Sequence, residues 1–122
     1  MVELHSLESI VRPIARRRGY SLRSEKDVLR IKHPDAPFFI EVRPTSSGIL
    51  VKVGYEGLRD YIRDVIDAEE DPRSFIEDVL DEISMVAHEI YDALKRAGMN
   101  VKLDARTAVM DTLEELEEAE EE

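Results

Sequence analysis

Residues 28–55 read VLRIKHPDAPFFIEVRPTSSGILVKVGY, and the fold turns on this stretch. Val28 to His33, Phe38 to Arg43 and Ile49 to Tyr55 are short runs rich in β-branched and aromatic residues that favour strands. His33-Pro34-Asp35-Ala36-Pro37 and Pro44-Thr45-Ser46-Ser47-Gly48 separate them with good turn chemistry. The pattern predicts three antiparallel strands in a meander. Tyr20 to Ser24 adds a fourth through a turn at Glu25 to Asp27.

Outside this stretch the apolar period becomes helical. Leu4, Leu7, Val11, Ile14 and Ala15 line one face of a helix over Glu3 to Arg18, which Pro13 is expected to kink or restart near Arg12 and Gly19 to end. After Gly57, Leu58, Tyr61, Ile62, Val65 and Ile66 mark a short helix. Asp71 as N-cap and Pro72 at the first position then open a long helix to about Ala97. Its stripe of Phe75, Ile76, Val79, Leu80, Ile83, Val86, Ala87, Ile90, Tyr91 and Leu94 is wide enough to face both the sheet and another helix. Val101 and Leu103 suit a short edge strand, and Ala105, Val109, Thr112, Leu116 and Ala119 form a weak seam on a last helix. Strands followed by helices give a single α+β domain: an antiparallel three- to four-stranded sheet with an N-terminal helix and C-terminal helices packed on it. The domain is expected over residues 1–116, with 117–122 as a disordered acidic tail.

Composition narrows the function. The 122 residues are 37% charged and contain no apolar run long enough to span a bilayer. Glu3 and the interrupted apolar pattern of MVELHSLESIVRP speak against a secretory signal, so a cytoplasmic location is expected. Without cysteine there is no disulfide, thiolate nucleophile or Cys-ligated metal. The absence of Gln, the single Asn100 and the abundance of both charge signs suggest a thermophilic source. Gly19, Gly48, Gly54, Gly57 and Gly98 write no phosphate-binding loop, and His5, His33 and His88 stand at no metal-binding spacing. No nucleophile elbow surrounds any serine. The reading is therefore a non-enzymatic protein with no cofactor and no metal.

The net charge of −11 is unevenly spread. Residues 1–52 hold ten Lys or Arg against six Asp or Glu, whereas residues 53–122 hold seven against twenty-two, seven of them within Glu114 to Glu122. Placing the apolar set inward puts Arg23, Val28, Arg30, Lys32, Phe39, Glu41, Arg43, Leu50 and Lys52 on the other face of the sheet. Five cations there face one anion, around an aromatic ring. Cationic grooves with aromatic platforms bind single-stranded nucleic acid with little regard for sequence. Arg16, Arg17 and Arg18, just before the first strand, could extend the same surface. The competing structural reading is a solvated polar face, or one covered by the first helix.

In element order, basic sheet and helical C-terminus, the chain resembles the ThermoDBP-related archaeal single-stranded DNA-binding proteins. That resemblance implies an antiparallel sheet with surrounding helices, helix-mediated oligomers, and a binding role worth testing for Arg16, Arg17, Arg18, Arg30, Lys32, Phe39, Arg43 and Lys52. The strongly acidic end departs from it. The expected partner is single-stranded DNA, or else RNA, with no membrane and a homo-oligomer, most simply a dimer, built on the wide helical stripe. The alternative is an oligomeric protein-interaction or chaperone-like module that ignores nucleic acid.

Overall fold

The computed structural model describes residues 3–121. Helix α1 (Leu4–Arg18) leads into strands β1 (Ser21–Glu25), β2 (Val28–Lys32), β3 (Phe38–Thr45) and β4 (Gly48–Tyr55). Then come α2 (Leu58–Ala68), α3 (Pro72–Arg96), β5 (Val101–Asp104) and α4 (Arg106–Glu120). The first four strands form the expected antiparallel meander, in sheet order β1-β2-β3-β4-β5. The fold class is α+β, but the sheet has five strands and is mixed rather than antiparallel throughout.

The added strand explains the correction. The chain leaves the end of β4, passes through α2 and α3 and re-enters the sheet at the start of β4, beside Ile49, so β5 pairs with β4 in parallel. Its docking depends on a close backbone approach. A Cβ on Gly48 (φ 151°) would stand 2.2 Å from the Asn100 carbonyl oxygen. That carbonyl accepts from the Ile49 amide at 2.8 Å, and the Asn100 side-chain amide donates to the Ser47 carbonyl at 2.7 Å.

Leu29, Ile31, Phe38, Ile40, Val42, Ile49, Val51 and Val53 point to one side and are buried. Helices α1 and α3 cover that side, α3 packing on β3, β4, β5, α1 and α2, while α4 packs on α2 and β4. Seven of the ten predicted stripe residues on α3 are buried within this one chain: Ile76, Leu80, Ile83, Val86, Ala87, Ile90 and Leu94. The ground for expecting a partner to complete the stripe is thereby removed. Asp71 caps α3 as predicted, its carboxylate accepting from the Ser74 amide.

Two further expectations change. Helix α1 runs unbroken through Pro13, which is exposed together with Ser9, so the carbonyl that loses its amide donor can be hydrated. Helix α4 continues to Glu120, so residues 117–120 are helical where disorder was expected; Glu122 lies outside the described residues. Thr112 and Leu116, fully buried, anchor that helix, and Glu115 and Glu117 reach Arg59 and Arg73 at 2.7 and 4.0 Å. No helix among the described residues is long and apolar enough to cross a membrane.

Candidate nucleic-acid interface

Strand alternation leaves Ser21, Arg23, Glu25, Val28, Arg30, Lys32, Phe39, Glu41, Arg43, Leu50, Lys52 and Gly54 on the side away from α1 and α3. Strand β5 adds Lys102 and Asp104, which pair in register with Leu50 and Lys52. Cross-strand partners fall into rows. The central row runs Arg23, Arg30, Glu41, Lys52, Asp104 over all five strands, so after its first pair the charge alternates at every step. Opposite charges facing each other across strands each contribute roughly 0.2–1 kcal/mol.

The register also decides the fate of Phe39. It faces Gly54, and a Cβ there would lie 2.7 and 2.8 Å from the Phe39 ring carbons Cε1 and Cζ, so the ring occupies the space the missing side chain leaves. From above, the Arg30 guanidinium sits 4.2 Å from the ring centroid. Phe39 is consequently 8% exposed. Alternation places it on the basic face as expected, but its ring is covered and offers no stacking surface.

Arg30 is held from three directions. Its Nη2 donates to Glu41 at 2.9 Å, its Nη1 donates to Glu56 at 3.1 Å, and its Nε is buried without a partner among the described residues. Burial works against the guanidinium charge, but the bonds to Glu41 and Glu56 and the field of Glu25 outweigh it and raise the pKa. Arg43 shares Glu41 at 3.2 Å. By contrast Arg23, Lys32, Lys52 and Lys102 are exposed and make no ion pair among the described residues. Arg23, Arg30, Lys32 and Phe39 line a surface groove of about 640 Å³, and so do the carboxylates of Glu25, Asp35, Glu56 and Asp64.

The triple arginine does not join this surface. Arg17 and Arg18 both bond Glu89 on α3, Arg18 at 3.2 Å, which ties the end of α1 to the helical layer. Arg16 is exposed beside Arg12 and Pro13 on α1. The structure thus brings Arg23, Arg30, Lys32, Phe39, Arg43 and Lys52 together and sets Arg16, Arg17 and Arg18 apart. Lys102 was missed. Alternation around Val101 and Leu103 already turned it away from the core, but only the parallel pairing with β4 shows which face it joins.

His33, at the end of β2, points inward and orders the turn that bounds the groove. Its Nδ1 accepts from the amides of Asp35 and Ala36 at 3.0 and 2.9 Å, so the ring proton sits on Nε2, which donates to Glu82 at 2.8 Å. The Tyr20 ring stands edge-on to it with centroids 5.3 Å apart. No group of three or more His, Cys, Asp or Glu among the described residues is placed to hold a metal ion. No protein-family model, curated protein or solved structure matches this chain.

Proposed function

We propose that the chain is a non-enzymatic binder of single-stranded nucleic acid, preferentially DNA, that grips the sugar-phosphate backbone with the outer face of its sheet. The observation that carries this reading is the set of Arg23, Lys32, Lys52 and Lys102, four cations on the outer face of the sheet with no ion pair among the described residues. In a chain of net charge −11, four exposed cations on one face without an ion pair among the described residues are a local feature that a polyanion can use. Contacts to phosphates carry no sequence information, so binding is nearly blind to sequence. The resemblance in layout to ThermoDBP-related proteins belongs to the same proposal.

Two carboxylates of the acidic end, Glu115 and Glu117, are drawn to Arg59 and Arg73 in the helical layer. The test is fluorescence anisotropy with labelled oligo(dT), oligo(rU) and duplex DNA at two salt concentrations. Oligo(dT) binds more tightly than duplex, with a log-log salt slope of about −3 if four cations each release a counterion at roughly 0.7 per phosphate. Lys32→Ala and Lys52→Ala each reduce the slope by about 0.7. Absence of binding at low salt overturns the reading.

A protein-interaction role has one observation in its favour. Phe75, 39% exposed, borders an apolar groove with Tyr61, Val65 and Val79, and the carboxylates of Asp35, Asp64 and Glu69 rim it. Its charge complements a cationic, partly apolar peptide segment. Binding of such a peptide without any affinity for oligo(dT) would favour this second reading.

A further inference from the structure

The Arg30 guanidinium has one surface with nothing to do. A guanidinium bonds through its edges and stacks through its two flat faces. Here each terminal nitrogen already gives one bond to a carboxylate, Nη2 to Glu41 and Nη1 to Glu56, and the Nε atom is buried. A phosphate taken in the usual two-pronged way would compete with those carboxylates for the edges. On one side the Arg30 Cζ stands over the Phe39 ring, 4.2 Å from the centroid, and that ring fills the space left at Gly54. What remains is the opposite flat face, on a side chain 29% exposed that lines the groove.

We propose that this face is a stacking platform for a single nucleobase of the bound strand. The inference rests on the nucleic-acid reading above and adds to it the one place where a base, rather than a phosphate, is held. A delocalised planar cation, fixed by two carboxylates and backed by an aromatic ring, suits a flat π-system, and every base presents one. The neighbours complete a nucleotide site. Arg23 pairs with Arg30 across the strands, and Lys32 follows on the same face roughly 7 Å further along β2. Both lack a carboxylate partner among the described residues, so a phosphate on either side of the stacked base meets a cation. The aromatic recognition expected of Phe39 is in this way transferred to the arginine on top of it.

The experiment compares oligo(dT) with an abasic deoxyribose-phosphate oligomer of equal length, both fluorescently labelled, on wild type, Arg30→Lys and Lys32→Ala. Wild type prefers oligo(dT) by roughly 5- to 150-fold, the span for one stacked base. Arg30→Lys keeps the charge and loses the plane, so it binds the abasic oligomer as wild type does and the preference disappears. Lys32→Ala weakens both ligands equally. Glu56→Ala serves if Arg30→Lys fails to fold: releasing one edge raises abasic affinity and narrows the preference. A wild-type protein without preference, or a preference that survives Arg30→Lys or Glu56→Ala, overturns the platform. Failure of both oligomers to bind wild type at low salt overturns instead the nucleic-acid reading. Titration with free dTMP separates the sources of the base: binding as tight as that of oligo(dT) would reject a strand as the ligand.

Discussion

Tyr20 shows how one side chain can carry a cost the rest of the fold absorbs. The residue is 5% exposed and its hydroxyl is buried with no hydrogen-bond partner among the described residues. Burying an unpaired hydroxyl costs roughly 1–3 kcal/mol, so Tyr20→Phe should be neutral or stabilising by about 1 kcal/mol. Burial and the charge of Glu82 push the phenol well above its ordinary value of 10, against the opposing pull of Arg18. Because the folded pKa exceeds the unfolded one, this contribution is complete below pH 10 and is lost as pH rises and the unfolded chain ionises first. Guanidinium melts at pH 7 and pH 10.5 check both points: the variant's advantage must widen at the higher pH. Phe39 teaches the opposite lesson about legibility. Alternation puts it on the basic face, and counting outward from the Ser46-Ser47 turn pairs it with Gly54. That a ring opposite glycine drops into the vacant space was readable from the sequence with the register in hand. That Arg30 would close over it was not, since the Arg30 to Glu56 bond joins the middle of β2 to the residue that follows β4.

At the scale of elements, the join between α1 and α3 depends on Glu89. Burial pushes its carboxyl up, but the bonds from Arg17 and Arg18 outweigh that and hold the pKa below its ordinary value of 4.5. The pair's contribution is thus present above that value and disappears as pH falls through the lower folded pKa. With Arg17 and Arg18 largely solvated, Glu89→Gln should cost about 1 kcal/mol or less near neutral pH. Denaturant midpoints of wild type and variant should converge as pH falls below the ordinary carboxylate range, and an undiminished gap there would assign the loss to packing. The run Arg16-Arg17-Arg18 reads from sequence as a ligand patch because a chain does not announce which carboxylate will fold back onto it. Helix and strand identities were legible, since each element buries one periodic face. The inward set of β2, β3 and β4 was fully so. The parallel strand was less so, because Val101 to Asp104 states its own alternation but not its neighbour.

For the whole molecule, the division of labour is between a helical layer that takes almost all the apolar surface and most of the negative charge, and a sheet face left to water. Its local excess of cations was visible in the first 52 residues. The partners of those cations were not, since they depend on which carboxylates the strand order brings alongside. The placement of β5 has a further consequence, in time rather than space. Strands β1 to β4 pair with their sequence neighbours, whereas β5 reaches β4 only after the excursion of residues 56–100. Closing that loop carries the largest chain-entropy cost of any strand pairing here, and nothing repays it until α2 and α3 have packed. The rate-limiting barrier should accordingly be crossed with the meander formed and β5 still undocked. In a chevron analysis Val51→Ala should slow folding, while Val101→Ala should leave the folding limb nearly unchanged and speed unfolding. The last strand to be made would then be the first to be lost, and the lifetime of the native state would be set at the Asn100 end of the sheet.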